Sequence, residues 1–274
     1  MDFKSHFRER LNATKELALA NKGKLLFFMV VAVLLQIQTH SFEYKARISG
    51  TAQDIAESVA SAPIFLTIEM LLGLVIFTKI TSGMKRSVCR RNTLFGSSGT
   101  ALYTLLFLVF NLTISLFFII LMFTLATNGN TELNDPKQAK DVSRLIMYTL
   151  PFVMGAPYAA SALAMRQFAI NSVIKACSPR TSNKAIKQKP LYKSSFTTLL
   201  ASWKQIFTSP YYLALCFTFV LLVSPEIYLP EAMTDSLVAA LISALGHGLI
   251  LVIYLTAYDE GMETFIRESS NDDL

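Results

Sequence analysis

ALYTLLFLVFNLTISLFFIILMFTLA, residues 101–126, decides the fold. The run is 26 residues long, carries no charge, and is rich in Leu and Phe, with Asn111 as its main interruption. About 20 such residues suffice for a helix to cross the ~30 Å hydrocarbon core of a bilayer. A helix apolar on every face belongs in lipid or deep in a large core, and 274 residues cannot supply the latter.

Five further apolar segments flank this one, at about 25–42, 61–80, 145–165, 210–229 and 237–258, so the expected fold is all-α with six transmembrane helices. The first is the poorest, since Gln36 and Gln38 interrupt it. It is read as an uncleaved span, because no small-residue cleavage motif follows it. In the fourth, Pro151, Gly155 and Pro157 fall within seven residues, so a kinked or broken helix and a candidate hinge are expected there.

Charge gives the orientation. Of the 25 Lys and Arg residues, 20 lie in residues 1–24, the second and fourth connections and the tail. Only Lys45, Arg47, Lys137, Lys140 and Arg144 lie in the other connections. Basic residues in short flanking loops mark the cytoplasmic side, which puts both termini inside and suggests a bacterial inner membrane. Three regions follow: a basic arm over residues 1–24, a membrane domain over 25–258, and an acidic tail over 259–274. The arm carries Phe3, Phe7, Leu11 and Ala18 on a rough four-residue stripe, which suits a helix lying on the membrane surface.

Composition agrees, with 53% hydrophobic and 16% charged residues. The net charge of +6 is explained by the loops, so anionic headgroups at the cytoplasmic face are the expected partner and nucleic acid is not. The three cysteines share no metal-clip spacing, and Cys89 and Cys177 fall in predicted cytoplasmic loops, so neither disulfide nor metal site is expected.

Before the fifth span, Phe196, Leu199, Leu200, Trp203, Ile206 and Phe207 recur at three- and four-residue intervals, with Ser, Thr, Lys and Gln opposite. That pattern predicts an interfacial amphipathic helix with Trp203 at headgroup level. Ser209 and Pro210 then provide an N-cap and a first-turn proline. Six spans, proline in the fourth and a basic stretch with Ser202-Trp203 before the fifth make the layout loosely similar to the YciC-type inner-membrane proteins.

Nucleotide-binding loops, nucleophile elbows and zinc-protease motifs are absent from the sequence, and no cofactor is expected. What remains is polarity at depth. Counting at 1.5 Å per residue from the expected span ends puts Glu69 roughly 12 Å deep, and Asn111 and His247 each roughly 15 Å deep. Ionisable groups at that depth usually face the bundle interior or water. Glu69 reads equally as a proton- or cation-binding carboxylate and as a hydrogen-bonded lock between helices. His247, between Gly246 and Gly248, and Asn111 fit helix-to-helix bonding, and the three form one candidate polar cluster in which Glu69 faces the bundle interior within reach of His247 or Asn111.

The leading expectation is a membrane protein that handles a small solute or lipid, or supports a membrane complex, without covalent catalysis. An intramembrane enzyme acting on lipid with Glu69 and His247 as acid and base is one alternative. A purely structural subunit is the other. Six spans are few for a transporter, so a homodimer or larger complex fits that reading.

Overall fold

The computed structural model describes residues 3–89, 94–126, 149, 153–170, 200–206, 209–225, 228, 229 and 237–271. Among these the chain is all-helical, without strands. The helices are α1 (Phe3–Ala20), α2 (Lys22–Ser49), α3 (Ala52–Cys89), α4 (Leu94–Ala126), α5 (residues 153–170), α6 (Leu200–Ile206), α7 (Pro210–Val223) and α8 (Leu237–Asn271).

Four of them contain segments long and apolar enough to cross a membrane: Lys22–Phe42, Thr67–Met84, Gly99–Phe117 and Leu237–Thr264. A fifth crossing results if α6 and α7, bent by 87° at the break between them, count as one broken span. The bend has a local cause. Pro210 lacks the N–H that would continue a helix from α6, and Ser209 precedes it as N-cap without a side-chain capping bond. α5 continues through Gly155 and Pro157 as helix, while Pro151 lies outside the described residues.

α2 and α3 form the longest pairing, and α2 also packs along α8. α7 lies along the other flank of α8, and α4 joins the edge through α3. α5 meets α4 through Tyr103 and Phe168, whose ring centres are 5.7 Å apart. The packed interior therefore centres on α8, where Ile253, Leu255 and Tyr258 are fully or almost fully buried.

The connection expected after the first span is largely helical. α2 runs on to Ser49 and α3 begins at Ala52, so the two form a tall hairpin above their apolar segments. Gly50 turns the corner with φ of +60°, a left-handed conformation in which glycine is unstrained. Thr51 starts α3: its Oγ1 accepts the Asp54 N–H at 3.2 Å and donates to Asp54 Oδ2 at 2.7 Å. Lys45 closes the turn at 2.7 Å from Asp54 Oδ1, and that ammonium holds the Asp54 carboxyl below the usual carboxylate range.

α1 differs from its expected rotation. Phe7, Arg10, Thr14 and Leu17 face the bundle, whereas Leu11 is 47% exposed. Polar partners at the bundle end decide this. Arg10 reaches Glu260 and Thr14 reaches Tyr211, and those bonds outweigh the burial of one leucine.

Candidate functional site: a polar seam between three helices

Glu69 is 4% exposed on α3, amid the apolar contacts of α2 and α8. One oxygen, Oε1, lies 2.5 Å from His247 Nδ1 on α8. The other, Oε2, accepts a hydrogen bond at 3.3 Å from Gln36 Nε2 on α2. The same Gln36 nitrogen lies 3.4 Å from His247 Nδ1. Three helices thus each place one polar group at a common point.

The local sequence explains why α8 can bring His247 there. A Cβ on Gly248 would strike the Met29 sulfur, so the bare Gly248 lets α2 close on that side. A Cβ on Gly246 would lie 2.7 Å from Val223 Cγ1 and 3.1 Å from its backbone nitrogen, so α7 closes on the other. Phe219 of α7 adds an aromatic wall, its ring centre 6.5 Å from that of the imidazole. His40, half-buried one turn along α2 from Gln36, extends the polar face toward the hairpin.

Chemically, a carboxylate and an imidazole in contact can hold one proton between them in either of two places. Gln36 can donate to the carboxylate in either case, because its amide nitrogen carries two protons. Among the described residues, no Lys or Arg pairs with the seam, so its charge is set by the protons on Glu69 and His247.

Asn111 belongs elsewhere. It is 1% exposed on α4, donates from Nδ2 to Phe107 O at 2.9 Å, and accepts from Trp203 Nε1 at 2.9 Å. The indole is thereby tied to α4. On α6, Ser202 and Ile206 are buried and Leu200 is 58% exposed, so Ser202, on the expected polar face, points into the protein. Phe196, Leu199 and Phe207 lie outside the described residues. At the hinge candidate, a Cβ on Gly155 would lie 3.4 Å from the Phe217 backbone, and Pro157 is buried, so both sit in the packed α5–α7 contact.

A second charged cluster, which sequence reading passed over, lies at the α1 end of the bundle. Glu260 of α8 is 6% exposed. Its Oε1 is 3.1 Å from Arg10 Nε of α1, and its Oε2 is 3.8 Å from Arg166 Nε of α5. Arg10 also approaches Glu263 at 3.9 Å, and Arg166 Nη2 donates to Thr264 Oγ1 at 3.4 Å. Gly261 makes this possible, because a Cβ there would collide with the Arg166 carbonyl oxygen.

Among the described residues, no group of three or more His, Cys, Asp or Glu is placed to hold a metal. The chain matches no family model, no curated protein and no solved structure, so the likeness of layout to the YciC-type proteins gains no support from them.

Proposed function

We propose that the chain is a six-span inner-membrane protein with both ends cytoplasmic, and that it takes up and releases a proton at Glu69–His247 while handling a small solute or lipid. The observation that carries this reading is the 2.5 Å contact between a buried carboxylate and an imidazole, with Gln36 as third member. A helix lock alone needs no titratable partner, since two amides or hydroxyls would serve. Among the described residues, the groups bonded to the pair are each other and Gln36, with no nucleophile, which favours this reading over covalent catalysis. The basic loops and the exposed Lys15, Lys22 and Lys24 lie against anionic headgroups in this arrangement, and the solute pathway is completed by a second copy or a larger complex.

Infrared titration of the purified protein tests the pair directly. A buried carboxyl or imidazole signal that responds to proton load should vanish in Glu69→Gln and shift in His247→Gln. A titration unchanged by Glu69→Gln would leave the residue as a mere helix lock. The topology has its own test: a thiol introduced near Asn130 should react from outside, and one near Ser182 should not. The reverse pattern would invert the orientation.

A further inference from the structure

We propose that α1 is a gate that closes one end of the helix bundle, with Glu260 as its catch; this rests on reading the Glu69–His247 seam as the functional site. Along α8, thirteen residues separate His247 from Glu260, roughly 20 Å of helix.

The side of α1 that faces the bundle is unusually polar for a packed helix. Arg10 meets Glu260 at 3.1 Å. Thr14 Oγ1 lies 2.5 Å from Tyr211 OH and 3.2 Å from Thr256 Oγ1. Tyr211 OH reaches the Arg10 carbonyl at 3.4 Å, and Phe7 meets the Tyr211 ring edge-on at 5.3 Å. Such bonds can be exchanged for bonds to water at small net change, which an apolar contact cannot match. A helix held this way can leave and return.

The decisive feature is the second arginine. A buried carboxylate deprived of its only cation is strongly destabilising. Glu260 keeps Arg166 when α1 departs, so the bundle survives the open state. The departing helix has somewhere to go as well. Its outward face carries Arg8 and Lys15 beside Glu9 and Glu16, with Leu11 and Leu19 also exposed, and Lys22 and Lys24 follow at the start of α2, a mixed amphipathic surface that suits the headgroup layer. Asn21, whose carbonyl accepts from Leu25 and whose side chain donates to Leu17, is the joint between α1 and α2.

Thiol labelling of full-length protein in inverted membrane vesicles tests the gate. Cys89 and Cys177 are replaced by serine, while fully buried Cys216 is kept, and Thr256→Cys places a reporter beneath Thr14. A charged methanethiosulfonate should modify that reporter slowly. Arg10→Ala should raise the rate roughly tenfold or more, the factor expected from losing one charge-assisted hydrogen bond. Leu17→Ala, which loosens α1 without touching Glu260, should raise it too and serves if Arg10→Ala folds poorly. The pair Thr14→Cys and Thr256→Cys should form a disulfide on oxidation and reduce solvent access to the bundle end. Equal labelling rates in all variants, or no disulfide, would overturn the gate. Labelling reads the closure alone. An unmoved rate in a protein whose Glu69 titrates sinks the gate and spares the pair; a raised rate where Glu69 does not titrate supports the gate and sinks the pair.

Discussion

Glu69 and Glu260 are both carboxylates buried between helices of one bundle, 4% and 6% exposed, yet they are held by different chemistry. Glu260 sits between two guanidinium groups, which stay charged at every accessible pH. Glu69 faces an imidazole and an amide, neither of which carries an obligatory charge. The first carboxylate therefore sits between two permanent charges, and the second faces a neighbour that can share a proton with it. A buried carboxylate by itself says little about role. Its partners decide whether it fastens helices or responds to its surroundings.

The sharpest way to break this comparison is to remove each carboxylate. Glu260→Ala should destabilise by about 2–4 kcal/mol, somewhat under the range for a fully buried pair because the arginines are partly exposed. Melting in detergent, followed by loss of monodisperse protein, would read it. Glu69→Gln should shift stability by less than about 1 kcal/mol, since the amide still bonds Gln36 and His247. A larger loss from Glu69→Gln than from Glu260→Ala would reverse the assignment.

Glycines sharpen the contrast at the next level. Gly261→Ala drives a methyl into the Arg166 carbonyl, a backbone atom with little freedom, and should cost about 1–3 kcal/mol. Gly248→Ala meets only the flexible Met29 sulfur and should cost less than about 1 kcal/mol. Thermal melting of both variants in parallel would show the order, and equal losses would mean that both approaches are equally rigid.

The smallest effect lies beyond the apolar segments, at the hairpin turn. Lys45 depresses the Asp54 pKa, so this pair contributes above the ordinary aspartate range and its contribution is lost as pH falls below about 4. Lys45 is exposed and Asp54 half-buried at the turn, and the global melt should not move. Amide protection around residues 50–54, corrected for the slower intrinsic exchange at low pH, should fall on acidification, and Lys45→Met should remove that pH response.

The sequence made the membrane helices readable because an uncharged run such as 101–126 has few other places to lie. Glu69 and His247 were reachable too, by counting residues inward from span ends. Shared depth also grouped them with Asn111 as one candidate cluster, but helix rotation and neighbour order leave no mark in one sequence, so which of His247 and Asn111 meets Glu69 was not readable. Gln36 read only as a flaw in the weakest span. It was in fact a signal, since a midspan amide needs a partner. Asn111 reached similar depth but found Trp203, 92 residues away, through a fold contact that depth alone cannot indicate. Arg10, Arg166 and Glu260 were hidden differently: orientation already accounted for flanking charge, so nothing marked these as buried. The α2–α3 hairpin was read as a connection because polar composition outweighed the helix-forming residues on either side of Gly50.

The bond from Trp203 to Asn111 has a practical consequence. Trp203 is the only tryptophan in the chain, so the whole indole emission comes from one place. The protein therefore carries its own optical gauge of the α4–α6 junction. Any event that lifts α6 from α4 must alter the colour and lifetime of that emission, and Asn111→Leu, which removes the bond to the indole, should change it in the same sense. Motion at this junction can thus be followed in unlabelled protein, in lipid and in real time.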